Sequence, residues 1–406
     1  MVVSLVRLAT VEDMRSLVLG LAATLGLTLT ATTAPAGAST LDVTHQAGAH
    51  RAKPKVPALA VKKLVTGLDH PWDVRPIGDG RLIFTQRDRA TVSIWDHGDV
   101  RTVGNFPTAS VWVSGETGLM GLETDPEFAT NHRFYTCQGG TTDGGGHEVK
   151  VMAWKLNDAL TSITGGKKLV GGFPTSSGRH GGCRLLALDD GSLYVGTGDA
   201  AQGTNPENKK SLGGKTLRLD AKTGKPWPKN PFIKSGNAHK RYVQTYGHRN
   251  VQGLALRKGG GVYSVEQGTY RDDEVNILRN GGDYGYNPVP GYNESVPMTD
   301  QSLPGKQISA VWRSGDPTIA TSGGGFIYGK RWGAYNGNLV VGALAGQRAV
   351  FLKITDAAKL AKVRAPAALR QFGRIRTIVD GPGSVIYVTT DNGGGNDYIL
   401  AVRPKR

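Results

Sequence analysis

One unit, two apolar strands joined by a tight turn, occurs six times between Trp72 and Val388, and this repetition limits the fold more than any other feature of the chain. The first strands lie at residues 72–76, 118–122, 184–188, 253–256, 324–328 and 375–379. Their partners follow at 82–85, 133–136, 193–196, 262–265, 338–341 and 385–388. Turns such as Gly78-Asp79-Gly80, Asp189-Asp190-Gly191 and Gly381-Pro382-Gly383 use residues that tolerate left-handed backbone. Further short strands follow several pairs, at 91–95, 151–154 and 349–352. Repeats of roughly fifty to seventy residues with several strands each have the size of propeller blades. The expected fold is all-β: a six-bladed β-propeller with four-stranded antiparallel blades. The 58 glycines have no triplet period, which excludes collagen. Only residues 357–363 suggest a helical turn. A β-sandwich would need six coincidental copies of the unit.

The N-terminal region reads differently. Met14-Arg15, an apolar run at 17–29 and Ala36-Gly37-Ala38 have the order of a secretory signal. Residues 1–38 are therefore read as a signal peptide whose true start is Met14, because the preceding segment adds Glu12 and Asp13. The apolar run is too short for a comfortable membrane span, and no transmembrane segment is expected in the mature chain. Residues 39–57 lack any period and are expected to form a flexible leader, with the propeller over 58–406. The expected location is secreted or extracytoplasmic. The formal charge of +16 raises the question of nucleic acid. The basic residues are scattered, however, and no Lys/Arg stripe alternates with aromatics, so no nucleic-acid partner is expected.

The only cysteines are Cys137 and Cys183. Cys137 ends the second strand of the second unit and Cys183 begins the first strand of the third. Adjacent blades bring such ends close, so a disulfide is expected in an exported protein.

A propeller also says where function should sit. Loops at one end of the central channel converge, so polar residues beside the innermost strands become candidates. Four segments qualify: 115–119 with Glu116, 178–182 with His180, 246–250 with His248, Arg249 and Asn250, and 266–276 with Gly268, Thr269 and Asp273. Each alone is weak. A histidine between glycines is more often a turn residue than a base, and Asp-Asp-Glu is usually a solvated patch.

Together the runs Arg179-His180-Gly181-Gly182, residues 246–253 and Asp272-Asp273-Glu274-Val275-Asn276 resemble the soluble PQQ-dependent glucose/sorbosone dehydrogenases, near the bacterial aldose sugar dehydrogenases. Residues 211–218 and 281–286 match the same pattern, and the resemblance spans about residues 64–402. It implies oxidation of an aldose at its anomeric carbon to the lactone. His180 would take the hydroxyl proton while hydride passes to PQQ, and Arg249 would stabilise the quinone oxygen as it becomes negative. Asp273 would orient His180 or Arg249. Asn250, Thr318 and the pair Arg374 and Arg376 would contact PQQ, with Glu116 beside them. Backbone carbonyls of Gly268 and Thr269 would hold Ca²⁺. The partners implied are a sugar and a quinone-type electron acceptor.

Three positions depart from the family pattern. Glu116 replaces a frequent Gln, Asp316 a frequent aromatic, and Ala345 an expected Lys. Two added carboxylates and one lost cation disfavour an anionic cofactor. Two other readings therefore stay open: a propeller binding module without catalysis, and a metal-dependent propeller lactonase.

Overall fold

The computed structural model describes residues 54–405. Its strands form six antiparallel sheets of four strands each. The innermost strands are Pro71–Pro76, Leu119–Thr124, Gly182–Ala187, Val251–Leu256, Thr321–Phe326 and Ile375–Gly381, which define blades 1 to 6. Each packs on the innermost strand of the next blade, and that of blade 6 packs on that of blade 1. The six repeated units are thus the inner hairpins of six blades.

Burial explains their composition. The second strands Leu82–Gln86, Val262–Glu266, Leu339–Ala343 and Val385–Thr390 are buried along their whole length, because a neighbouring blade covers each face. Such strands read as continuous apolar runs rather than alternating ones. The outermost strand of blade 1, Asp99–Thr102, is exposed throughout and correspondingly polar. The same logic corrects the helical turn expected at 357–363. That run contains the start of Leu360–Arg364, the exposed edge strand of blade 5, whose spaced apolar residues cover no core.

The ring closes with a strand that the repeats do not announce. The fourth strand of blade 6 is Leu59–Leu68, from the N-terminal side, paired with Asp397–Pro404. Leu59 lies opposite Pro404 and Leu68 opposite Asp397. Before it, the Lys55 carbonyl accepts a hydrogen bond from the Ala334 N–H at 2.9 Å. The end of the segment expected to be a flexible leader is therefore docked on the domain. The expected signal peptide and the rest of the leader lie outside the described residues.

A charged hub fills the axis. Arg184, on the innermost strand of blade 3, donates to Asp73 of blade 1 (2.5 Å), the Gln252 carbonyl of blade 4 (2.8 Å) and Thr377 of blade 6 (2.9 Å). Its guanidinium also lies 4.2 Å from the ring centre of buried Trp72. Burial, with Arg75 and Arg376 nearby, pulls its pKa down to about 10, against the pull of Asp73. Arg184 thus remains a cation at neutral pH and ties four blades together.

Cys137 and Cys183 form the disulfide, joining blades 2 and 3 with a Cα–Cα separation of 5.3 Å. Cys183 has φ +78°, a left-handed value unusual for a residue with a side chain. The bridge closes a loop spanning 46 positions. A Cys137→Ala/Cys183→Ala double variant should therefore lose about 4 kcal/mol by the loop-entropy relation. Urea unfolding of the two proteins measures this, and an unchanged midpoint contradicts it.

Candidate active site

Antiparallel pairing of the first two strands of a blade sets the entry to the first beside the exit from the second. In four blades this juxtaposition makes a cation–carboxylate or imidazole–carboxylate pair at the same mouth of the channel. His180 meets Asp199 at 2.8 Å in blade 3, and His248 meets Glu266 at 2.7 Å in blade 4. Arg376 meets Asp391 at 2.7 Å in blade 6, and His70 lies 3.3 Å from Asp88 in blade 1.

The blade 3 pair has the features of a general base. His180 sits at φ +52° in a turn whose glycines are sterically required: a Cβ on Gly182 (φ +59°) would lie 2.3 Å from the Gly198 nitrogen. The turn is held from outside. Glu116 Oε2 accepts the His180 backbone N–H at 3.0 Å, and Asn250 Oδ1 accepts that of Gly182 at 3.1 Å. The carboxylate position assigns the proton to His180 Nδ1, which donates to Asp199 Oδ1. Tyr292 donates to Asp199 Oδ2 at 2.8 Å, and burial and that carboxylate raise its own pKa well above the ordinary phenol range. Nε2 of His180 has no hydrogen-bond partner among the described residues and is left to meet a ligand.

The loop carrying Asp199 is itself anchored. Lys215, fully buried, donates its ammonium protons to the carbonyls of Asn205, Pro206 and Gly213 at 2.6, 2.9 and 2.6 Å. This gives the Gly213-Gly214-Lys215 run a structural purpose. His248 is structural as well: it bonds Thr245 and Glu266 and stacks on Tyr284, with ring centres 4.5 Å apart. Burial alone would raise the Glu266 pKa, but His248 and the Asn276 and Ser264 side chains hold it below the usual range.

Arg249 is joined to the base through the backbone, because its carbonyl accepts the Asp199 N–H at 2.8 Å. Its side chain is buried. Nη1 donates to the Gln267 carbonyl at 3.2 Å, and Nη2 to Glu294 at 2.5 Å. Arg374 and Arg376 line a cavity of about 340 Å³ at this mouth with Glu116, Gln267 and Asp391. A larger cavity, about 660 Å³, lies between blades 2 and 3 beside the turns at the far ends of their inner hairpins, around Asp125, Trp154 and Asp189. None of the sequence candidates lines it.

Asp273 is placed differently from the expectation. It makes no hydrogen bond to His180 or Arg249. Its buried carboxylate instead accepts from the Gly268 N–H (3.0 Å), the Thr318 hydroxyl (2.8 Å), the Ile319 N–H (2.8 Å) and the Thr321 N–H (3.2 Å). Its backbone position after the loop turns it toward the entry of blade 5, so it organises the segments carrying Gly268 and Thr318. The groups that lie within hydrogen-bonding distance of His180 Nδ1 are Asp199 and Tyr292. Among the departures, Asp316 is exposed and Ala345 is exposed, so neither covers the cavity.

The donor set suits an oxygen-rich ligand. Arg249 Nε, Asn250 Nδ2 and Arg376 Nε are buried donors without acceptors, and Thr269 Oγ1 is a buried hydroxyl without a partner. Among the described residues no hydrogen bond reaches the Gly268 or Thr269 carbonyl. Two carbonyls and a hydroxyl are hard oxygen donors of the kind calcium takes.

Comparison with known proteins gives a consistent picture. The family model for glucose/sorbosone dehydrogenases matches residues 68–400. The aldose sugar dehydrogenase of Escherichia coli K12 is 26% identical over 358 residues, covering 85% of this chain and 93% of that protein. Quinoprotein glucose dehydrogenase B of Acinetobacter calcoaceticus is 27% identical over 271 residues, covering 60% of this chain and 55% of that protein. The PQQ-bound structure of an aldose sugar dehydrogenase from Streptomyces coelicolor superposes with a TM-score of 0.71 at 27% identity, over 86% of this chain and 99% of that one.

The position of Asp273 generates a prediction. Asp273→Ala strands three buried N–H groups, and should cost about 3 kcal/mol or more. Chemical denaturation checks this. Unchanged stability would contradict the organising role.

Proposed function

The chain belongs to the glucose/sorbosone dehydrogenase family, and from that premise we propose that it oxidises an aldose at the anomeric carbon to the lactone, with PQQ and Ca²⁺ and with electrons passed to a quinone- or dye-type acceptor. The observation that carries this reading is the His180–Asp199 pair, whose free Nε2 stands at the channel mouth that also holds Arg249.

When bound, PQQ supplies the acceptor for hydride. The residues around it do the rest. His180 Nε2 takes the proton of the anomeric hydroxyl, and Asp199 stabilises the imidazolium through Nδ1–H while fixing the tautomer. Tyr292 and Ala201 N–H hold that carboxylate in one plane. Arg249 stays charged: burial lowers its pKa from a value far above neutrality, and the Asp199 charge and the Glu294 hydrogen bond raise it. It is thus a fixed cation for an oxygen that gains negative charge. Asn250 Nδ2 adds a neutral donor. Arg374 and Arg376 hold cofactor carboxylates from blade 6, and Thr318 contacts the cofactor from the entry to blade 5. The Gly268 and Thr269 carbonyls hold Ca²⁺.

We place this chemistry outside the cytoplasm. The signal-like N-terminal region supports export, as does the disulfide joining Cys137 to Cys183. No helix among the described residues is long and apolar enough to cross a membrane.

Purified protein supplied with PQQ and Ca²⁺ should reduce a dye in the presence of aldoses, and chelation should abolish the activity. His180→Ala and Asp199→Asn should each lower kcat by about a hundredfold or more while PQQ still binds. PQQ binding with no dye reduction for any aldose would favour the binding module. Lactone hydrolysis without PQQ would favour the lactonase.

A further inference from the structure

Residues 278–311 form a long excursion between the third strand of blade 4, Glu274–Ile277, and its fourth, Trp312–Arg313. This excursion returns over the mouth and touches both working residues. Tyr292 bonds Asp199, and two residues later Glu294 reaches Arg249. Glu294 lies 2.5 Å from Arg249 Nη2 through one oxygen and 3.7 Å from Arg179 Nη2 through the other. Arg249 has one other hydrogen bond, to the Gln267 carbonyl, and its Nε has none. A carboxylate of this chain therefore already occupies the edge of Arg249 that a ligand oxygen would use.

We propose that Glu294 is an internal competitor for the anionic cofactor at Arg249, and that it sets cofactor affinity by having to be displaced. This rests on the dehydrogenase reading of the site.

The competing carboxylates at this mouth differ in freedom. Asp391 is buried and bonded to Arg376, and Glu116 is fastened to the His180 N–H. The Glu294 side chain is 36% exposed and can swing into water without stranding a buried charge. Its ionised form is the resident one. Burial alone would raise its pKa, but the Arg249 bond and charge, with Arg179, hold it below the usual carboxylate range. Binding then exchanges the Glu294 carboxylate for a quinone oxygen on the same guanidinium. The net gain is smaller than a vacant Arg249 would give. This adds a second carboxylate to Glu116, which lines the mouth cavity and already disfavours a tricarboxylate.

The test is an equilibrium titration of the purified chain with PQQ at saturating Ca²⁺, followed by quenching of tryptophan fluorescence. Glu294→Gln keeps the side chain's shape and removes its charge, and it should bind PQQ about tenfold tighter than the parent. Glu294→Ala should shift in the same direction. Unchanged or weaker binding in both variants overturns the proposal, because it makes Glu294 inert or a support for Arg249. A second probe separates this from a failure of the dehydrogenase reading. Sulfate should raise the Tm of Glu294→Gln more than that of the parent, whether or not PQQ binds. If PQQ binds neither protein and the sulfate response differs as expected, the reading of the cofactor fails and the role of Glu294 stands. Equal sulfate responses in both proteins sink the role of Glu294.

Discussion

Pairing of Leu59–Leu68 with Asp397–Pro404 is the contact on which the rest of the molecule depends. It joins residues more than three hundred positions apart and converts a row of hairpins into a ring. Only in a closed ring do six innermost strands face one axis, and only then do loops from blades 2, 3, 4, 5 and 6 share a mouth. Closure also packs blade 1 on blade 6 and so covers the two sheet faces that an open array would leave exposed. The contact is costly to form, because a long chain must be closed before the strands reward it. The multi-blade contacts of Arg184 then hold the ring from inside.

Charge is concentrated at the axis and nearly everywhere answered. Arg184 and Arg75 share Asp73, Arg376 has Asp391, and Arg249 has Glu294. Buried ion pairs add little net stability, because desolvation consumes most of the attraction, but losing one partner is severe. Their value here is positional. The guanidinium groups of Arg249 and Arg376 are held rigid and charged close to the place where a ligand's negative oxygens would bind. Of the buried donors left without acceptors, those of Arg249, Asn250 and Arg376 gather at that same mouth, while others, such as the indole N–H groups of Trp227 and Trp332, lie elsewhere.

The repeat made the blades legible, since a strand buried on both faces must be an apolar run bounded by turns. The His180 turn and the Tyr246-to-Asn250 segment were legible too, because each precedes an innermost strand. Asp199 was missed, although a signal existed. It leaves the second strand of blade 3 where Glu266 and Asp391 leave those of blades 4 and 6, and hairpin pairing sets all three beside the entry residue. The family resemblance implied that Asp273 orients His180 or Arg249. Its carboxylate turns instead to the entry of blade 5, a contact that depends on how two blades pack. Tyr292 and Glu294 carried no signal, because their excursion belongs to one blade and has no counterpart in the repeat. The closing strand was hidden for a similar reason: it stands outside the six units and looks like the end of a leader.

The central claim is that an imidazole from blade 3 and a guanidinium from blade 4 serve one ligand. A crystal structure of the protein soaked with PQQ, Ca²⁺ and an aldose tests it most directly. The account predicts a single cofactor in contact with Arg249 and within hydrogen-bonding reach of His180 through a bound sugar, with calcium on the carbonyls of Gly268 and Thr269. A cofactor seated in the cavity between blades 2 and 3, or one too far from His180 or from Arg249 for a single bound sugar to join them, would contradict it.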